Sequence, residues 1–263
     1  MSSLSLAVRD SSTMLRRNLL HARRYPSLTL NLLLTPVMLL FLFVYVFGDV
    51  MSAGIGDGGA DRSEYIAYLL PGILMMTIGG TTIGTAVSVS TDMSEGIIAR
   101  FRTMAIHRGS VLVGHVLGSV LQCVMSVVLV GAVGLAIGFR STDATVLEWL
   151  AAFGLLVLFA LALTWIAVGM GLVSPNAEAA SNNAMPLIFL PLISSTFVPV
   201  DAMPGWFQPV AEYQPFTPAI ETLRGLLLGT EIGHNGWLAV VWCLALTALG
   251  YFWSKASFDR DPK

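Results

Sequence analysis

Few residues of this sequence have the types and spacing that chemistry requires. The chain has no Gly-x-x-x-x-Gly-Lys-Ser/Thr loop to hold nucleotide phosphates and no His-Glu-x-x-His pair to bind zinc. No Ser–His pair is placed within its apolar runs for nucleophilic catalysis. His115 has no Cys, Asp or Glu at ligand spacing, so we expect a packed or interfacial histidine. We therefore predict no catalytic residue, no metal site and no cofactor bound by this chain.

The elements around these residues have the composition of a membrane protein. Hydrophobic residues make up 55% of the 263 residues and charged residues 11%, whereas soluble domains carry roughly 25% charged residues. Six apolar runs are each close to the roughly 20 residues that cross a bilayer: 28–48, 66–90, 111–138, 149–173, 180–198 and 236–254. None contains Asp, Glu, Lys or Arg, which argues against proton- or ion-coupled transport. We predict an all-α membrane protein with six spans within 28–254, in one domain over 1–263.

The basic residues predict how these spans are oriented. Most of them fall on the side that holds both termini, including the tail 255–263, and the loop after the second span. The opposite side holds only Arg62, Arg140 and Arg224 together with many acidic residues. By the positive-inside rule, both termini are cytoplasmic and the chain lies in the plasma membrane. Arginine also greatly outnumbers lysine, which points to a GC-rich bacterial genome.

The N-terminal segment 1–25 has the pattern of an amphipathic helix. Leucines and a valine form one helical stripe, and arginines seven residues apart form a second. Such a helix is expected to lie on the membrane surface, with its basic residues toward lipid phosphates. These basic residues are Arg9, Arg16, Arg17, Arg23 and Arg24.

The segment 91–110, between the second and third spans, has a second amphipathic pattern. Apolar residues recur on one face, acidic residues stand at its start and arginines near its end, as a helix dipole favours. We predict a short helix with Thr91 or Ser94 as N-cap. One face can rest on the membrane while the other meets a soluble partner. The residues concerned are Asp92, Glu95, Ile97, Arg100, Phe101, Arg102 and Met104.

Prolines divide the segment 199–235, between the last two spans, into short pieces. Trp206 and Phe207 suit the membrane interface, and with Glu221 and Arg224 they form the predicted extracellular gate region. Two short helices that re-enter the outer leaflet would account for the pattern, because a helix of about eleven residues cannot span.

The second of these short helices has recognisable ends. Thr217 is the expected N-cap, Pro218 the first helical residue and Gly229 the residue that ends the helix. Glu221 and Arg224 are spaced to pair. The pair could clamp a gate or only neutralise two charges at the interface, and we favour neutralisation.

Three stretches resemble one protein family. FVPVDAMPGWFQPVAEYQPFTPAIETLRGLLLG at 197–229 resembles the C-terminal signature of ABC-2 family permeases, especially the daunorubicin-resistance exporter subunits. RRNLLHARRYP at 16–26 and STDMSEGIIARFRTMAIHRGSVLVG at 90–114 are similar to the same family at corresponding places. The resemblance covers essentially the whole chain.

This resemblance implies a subunit of a type V ABC exporter. Such a permease pairs with a second permease, identical or homologous, and with two ATP-binding subunits that carry the ATP and Mg. The 91–110 segment would be the coupling helix that contacts an ATP-binding subunit, and the 1–25 helix would be the connecting helix beside it. Spans 2 and 5 would face the partner permease and line the substrate path. Membrane lipids are further partners, and nucleic acid is not.

Polar residues of spans 2 and 5 agree in part with a substrate path. Thr77, Thr81, Thr85 and Ser88 follow one helical face, but hydroxyls and small residues also pack helices in membrane bundles. Both interpretations stay open for this stripe. Span 5 adds the candidates Asn182, Asn183, Met185, Phe189 and Phe197, and its prolines Pro186 and Pro191 could bend it.

The function that follows is the permease subunit of an ATP-driven exporter, without an ATPase site of its own. The path is apolar, with hydroxyl and amide groups and no basic residue to hold a polyanion. This favours an amphipathic or hydrophobic drug, antibiotic or lipid over a polysaccharide or other glycoconjugate. A non-transporting membrane scaffold with the same architecture is the alternative from another class. Homodimer or heterodimer, and alternating access or squeezing, stay open.

Overall fold

The computed structural model describes residues 26–48, 62–95, 108–141 and 143–259 of the chain. Within these ranges the structure is helical and contains no strand. The helices are α1 (Pro26–Phe41), α2 (Arg62–Ser94), α3 (Arg108–Ile137), α4 (Val146–Val173), α5 (Ala177–Ala184), α6 (Pro186–Phe189), α7 (Gln208–Tyr213), α8 (Phe216–Leu228) and α9 (Asn235–Asp259). A π-helical turn over Leu42–Val46 continues α1, and 3-10 turns lie at Leu190–Ile193 and Val200–Ala202.

Four of the described helices are long and apolar enough to cross a membrane. They are α2, α3 from Leu112 onward, α4 and α9, and they correspond to the predicted second, third, fourth and sixth spans. A shorter apolar helix over Leu34–Val46 lies in the predicted first span. The all-helical membrane architecture is confirmed, with four candidate spans among the described residues.

The predicted fifth span, 180–198, differs from a continuous helix. α5 ends at Ala184, two residues before Pro186, because a proline has no N–H to donate and its ring clashes with the carbonyl four residues earlier. The four-residue α6 and the 3-10 turn that contains Pro191 follow, and Ser194 is extended, with φ −110° and ψ −174°. The two prolines that were expected only to bend this span therefore divide it into short pieces. We call residues 185–199 the broken segment.

α4 is the central helix, and a capping box fixes where it begins. The Thr145 hydroxyl accepts from the Glu148 N–H at 3.3 Å, and the Glu148 carboxylate accepts from the Thr145 N–H at 2.6 Å. Glycines bring its neighbours close. A Cβ on Gly171 would lie 2.5 Å from the carbonyl oxygen of Ala86 on α2, and a Cβ on Gly250 of α9 would lie 2.8 Å from the backbone of α4. The backbones of α2, α4 and α9 are therefore in contact, as small residues allow in membrane bundles.

The long helices meet at two ends. At one end, a buried cluster joins the last turns of α2, α4 and α9 to the first turns of α3. Its members are Val89, Leu112, Val116, Trp165, Val168, Leu172 and Phe258. Residues 96–107 connect α2 and α3 at this end, which we call the α2–α3 end. At the opposite end α8 packs on the bundle, and the rings of Phe159 and Phe216 meet edge to face, with their centroids 5.0 Å apart.

Candidate functional site

The broken segment is held by side chains where the helical hydrogen bonds are lost. The Gln214 side-chain amide donates to the carbonyl of Leu190 at 3.5 Å, and the Thr217 hydroxyl accepts from the Ser195 N–H at 3.4 Å. Gln214 also donates to the Thr217 hydroxyl at 3.3 Å, which links these two side chains. Because backbone polar groups in a membrane protein need internal partners, these contacts stabilise the non-helical backbone.

Arg224 makes the most contacts in this region. Its guanidinium donates to the carbonyl of Ser195 at 3.0 Å and to the carbonyl of Tyr68 at 3.1 Å and 3.3 Å. It also pairs with Glu221 at 2.5 Å and lies 3.9 Å from the centroid of the Tyr68 ring. The Tyr68 hydroxyl donates to the same Ser195 carbonyl at 3.1 Å. Arg224 thus joins α2, the broken segment and α8, and we call Tyr68, Gln214, Thr217 and Arg224 the side-chain bracket.

These contacts change the sequence interpretation of the segment. Glu221 and Arg224 do pair, but Arg224 has further partners, so neutralisation alone does not describe it. The predicted start of the second short helix is wrong: α8 begins at Phe216 and has no side-chain cap. Thr217 lies in the first turn of α8, and its hydroxyl accepts from the Ser195 N–H instead of capping the helix.

The predicted end of this helix is confirmed. Gly229 ends α8 with φ +69°, a left-handed conformation that favours glycine. A Cβ there would also lie 2.7 Å from the backbone of Asp143. Among the predicted gate residues, Trp206 is exposed and Phe207 is half-buried, with their ring centroids 5.4 Å apart.

α2 has glycines where the broken segment crosses it. A Cβ on Gly72 would lie 2.5 Å from Thr196, and a Cβ on Gly79 would lie 2.4 Å from the carbonyl oxygen of Leu187. The broken segment, which the side-chain bracket contacts, therefore lies directly against the backbone of α2. The segment has little room to move toward α2 without displacing the helix.

The predicted path threonines of α2 lie inside this chain. Thr77, Thr81 and Thr85 are buried, whereas Ser88 is exposed. The Thr77 hydroxyl donates to the Ile73 carbonyl at 2.7 Å, and the Thr81 hydroxyl donates to the Ile78 carbonyl at 2.9 Å. This placement favours the packing interpretation for the three threonines.

Four of the five predicted path residues of the fifth run lie at the surface, and Phe197 is half-buried. Asn182, Asn183, Met185 and Phe189 are exposed, and Phe197 stacks on Phe43 with centroids 4.2 Å apart. The structure therefore does not bring this set together with the buried threonines of α2.

The α2–α3 end departs from the sequence expectation. Thr91 and Ser94 are not N-caps: α2 continues through Ser94, and their hydroxyls donate to the carbonyls of Val87 at 2.9 Å and Thr91 at 3.0 Å. Asp92 lies buried in the last turn of α2, so its side chain does not face a soluble partner. Glu95 follows the helix and is exposed.

His115 is packed, as expected, but it is not isolated. Its Nε2 lies 3.1 Å from Oδ2 of Asp92.

The other residues predicted at the cytoplasmic surface lie outside the described residues. They are Ile97, Arg100, Phe101, Arg102 and Met104 of the coupling segment, and Arg9, Arg16, Arg17, Arg23 and Arg24 of the N-terminal segment. Among the described residues, no group of three or more His, Cys, Asp or Glu side chains could hold a metal ion.

Comparison with known proteins agrees with the helical membrane architecture. The family model "ABC-2 type transporter" matches residues 10–228, which is most of the chain. The chain belongs to the ABC-2 type transporter family. As an ABC-2 permease, it is similar to permeases of drug-resistance transporters.

Three relatives illustrate the similarity. The daunorubicin resistance ABC transporter permease protein DrrB1 of Streptomyces coeruleorubidus is 31% identical over 228 residues, which cover 85% of this chain and 77% of the relative. The probable doxorubicin resistance ABC transporter permease protein DrrC of Mycobacterium tuberculosis is 24% identical over 226 residues, which cover 82% and 78%. Nodulation protein J of Rhizobium meliloti is 24% identical over 229 residues, which cover 82% of each chain.

Sequence reasoning missed three contributors to this ABC-2 permease site: Tyr68, Ser195 and Gln214. Pro186 and Pro191 were the available signal, because prolines within an apolar run leave carbonyls without helical donors. Such carbonyls require nearby donors, and the polar residues of 213–224 are the nearest in sequence. Tyr68 gave no such signal, since its contact with Ser195 joins residues 127 positions apart.

Proposed function

We propose that this ABC-2 permease exports amphipathic or hydrophobic molecules, such as a drug, an antibiotic or a lipid, from the cytoplasm or the inner leaflet. The observation that carries this cargo class is the 31% identity to a daunorubicin resistance permease over 85% of the chain. The apolar exposed residues of the broken segment, Met185 and Phe189, suit such a cargo. Separate ATP-binding subunits, which hold the ATP and Mg, supply the energy.

In the proposed assembly, a second permease copy or a homologue covers the broken segment. Met185 is 48% exposed and Phe189 53%, and beyond them the backbone leaves the helical conformation at Ser194. Non-helical backbone at membrane depth is tolerated where protein buries it or where it lines a water-filled cavity. A partner permease supplies both conditions, with a path between the two copies. Six spans, cytoplasmic termini and a bacterial plasma membrane complete the arrangement.

Two ATP-binding subunits contact the α2–α3 end in this proposal, one for each permease. Residues 95–108 form the contact, with Phe101 and Arg102 as its central side chains. Aromatic and arginine side chains are the usual anchors of protein interfaces.

Changing Phe101 and Arg102 together to alanine is expected to weaken binding of the ATP-binding subunit at least about thirtyfold, because interface anchors contribute about 2 kcal/mol or more. The measurement is a pull-down in detergent with a co-expressed ATP-binding subunit, together with the ATPase activity of the complex. Lys255→Ala is the control, since it removes one exposed basic side chain from the cytoplasmic end of α9. Absence of the ATP-binding subunit from the unchanged permease would contradict the proposed assembly.

A further inference from the structure

A buried pair of ionisable side chains joins α2 and α3 at the α2–α3 end. Nε2 of His115 lies 3.1 Å from Oδ2 of Asp92, and the two side chains are only 6% and 9% exposed. Asp92 is in the last turn of α2, and His115 is in the second turn of α3. The pair therefore stands on the two helices that flank the proposed contact for the ATP-binding subunit, residues 95–108.

The same stretch of α2 also contacts the turn between α4 and α5. Two residues before Asp92, the Ser90 hydroxyl is 3.5 Å from the Ser174 carbonyl. The Ser174 hydroxyl in turn accepts from the Asn183 side-chain amide of α5 at 3.0 Å. α5 leads directly into the broken segment. The end of α2 therefore lies between residues 95–108, the proposed contact for the ATP-binding subunit, and the proposed path.

Apolar packing fixes these groups relative to one another. Val89 is fully buried beside Leu112 and Val116 of α3 and Leu172 of α4. Packed interiors transmit displacement because they have low compressibility. A displacement of α3 at this end is therefore expected to carry the end of α2 and the α4–α5 turn with it.

The pairing of a carboxylate with an imidazole indicates a role other than stabilising the fold. Burying ionisable groups carries a desolvation penalty, and replacing a buried pair by well-packed apolar residues is often neutral or stabilising. A directional bond between a carboxylate and an imidazole, however, fixes the relative orientation of two helices in a way that apolar contacts do not.

We propose that Asp92 and His115 form a positioning pair that transmits movement of residues 95–108 to α5 and the broken segment. This inference rests on the proposed function, in which residues 95–108 contact the ATP-binding subunit. The pair touches neither ATP nor cargo. Loss of the pair should allow ATP hydrolysis to continue, but hydrolysis should no longer move the permease.

The test measures that movement directly, without a transported molecule. The complex with the ATP-binding subunit is placed in nanodiscs, and a single exposed cysteine, Asn182→Cys, reports on α5 through its rate of labelling by a maleimide. The native residues Cys123 and Cys243 are buried. The labelling rate is compared without nucleotide and with ATP plus vanadate, and ATP hydrolysis is measured on the same sample.

With the pair intact, we expect nucleotide to change the labelling rate at position 182. With Asp92→Asn, the nucleotide-dependent change is expected to shrink about fivefold or more, the usual lower range of coupling between sites, while hydrolysis continues. His115→Gln keeps an amide that can donate to Asp92, so it should retain more of the change than His115→Leu. Glu178→Gln, at an exposed carboxylate of α5, serves as the matched control and should behave as the unchanged chain.

Several outcomes would overturn the inference. One is an Asp92→Asn complex that responds to nucleotide like the unchanged complex, even if its thermal stability falls, because the pair would then be structural only. A nucleotide-independent labelling rate in the unchanged, hydrolysing complex would also overturn it. If Asp92→Asn does not assemble, equal responses of His115→Gln and His115→Leu decide against the pair. Failure of the unchanged permease to bind the ATP-binding subunit would instead contradict the proposed function.

Discussion

Replacing Arg224 by glutamine is expected to lower the free energy of unfolding of the permease by about 3 kcal/mol or more, because hydrogen bonds to charged groups contribute about 1.5–3 kcal/mol each. The change removes charged donors from the carbonyls of Tyr68 and Ser195, and it leaves Glu221 without this partner. The Arg224 side chain is only 11% exposed, so water replaces few of these bonds. The midpoint of thermal unfolding in detergent measures the effect, with an expected fall of about 6 °C or more.

Companion variants test whether Arg224 holds the two backbone carbonyls or only neutralises Glu221. Glu221→Gln keeps an acceptor for Arg224 and leaves the carbonyl contacts intact, so its effect should be small. Arg224→Lys keeps the charge but has no planar fork to reach both carbonyls, so most of the loss should remain. If Arg224 only neutralised Glu221, the double variant Glu221→Gln with Arg224→Gln would be as stable as the unchanged protein. We expect it to be about as unstable as Arg224→Gln alone.

Replacing Gly79 by alanine is the second change with a large expected effect. The new Cβ would lie 2.4 Å from the carbonyl oxygen of Leu187, a backbone atom that cannot move without displacing the broken segment. Overpacking typically costs about 1–3 kcal/mol, and a clash with a backbone atom belongs at the upper end, above the roughly 1 kcal/mol gained when alanine replaces glycine in a helix. The measurement is again thermal unfolding of the isolated permease in detergent.

Gly84→Ala is the matched control for this change. Gly84 lies five residues further along the same helix and has no atom within 4 Å of the position of a Cβ. It should therefore leave the stability of the isolated permease unchanged or raise it slightly. Equal stabilities of Gly79→Ala and Gly84→Ala would show that α2 and the broken segment are not in direct contact.

Local sequence patterns predicted the parts of the fold that depend on local physics. Long runs without charge predicted α2, α3, α4 and α9, because length and apolar composition are local properties of each run. The end of α8 at Gly229 followed from the need for a positive φ. In both cases the cause lies within a few residues of the effect.

Contacts with other parts of the chain determined the features that local sequence patterns did not predict. Thr91, Ser94 and Asp92 have the residue types of a helix start, yet α2 continues through them, and the Asp92 carboxylate contacts a histidine 23 residues further along the chain. Thr217 has the residue type of an N-cap, yet its hydroxyl contacts Ser195.

The glycine pattern was informative but not decisive. Gly80 and Gly84 have the four-residue spacing of a helix-packing face, whereas the close approaches on α2 are at Gly72 and Gly79. Spacing alone does not say which side of a helix a neighbour occupies.

The continuity of α2 has a mechanical consequence. Tyr68 contacts Arg224 near one end of this helix, and Asp92 contacts His115 near the other. Their separation of 24 positions corresponds to roughly 36 Å at 1.5 Å per residue, so a tilt of about 10° about the Tyr68 end would carry Asp92 through about 6 Å. With the Tyr68 end held by Arg224, the displacement of such a tilt is therefore greatest at Asp92 and falls steadily along the helix toward Tyr68.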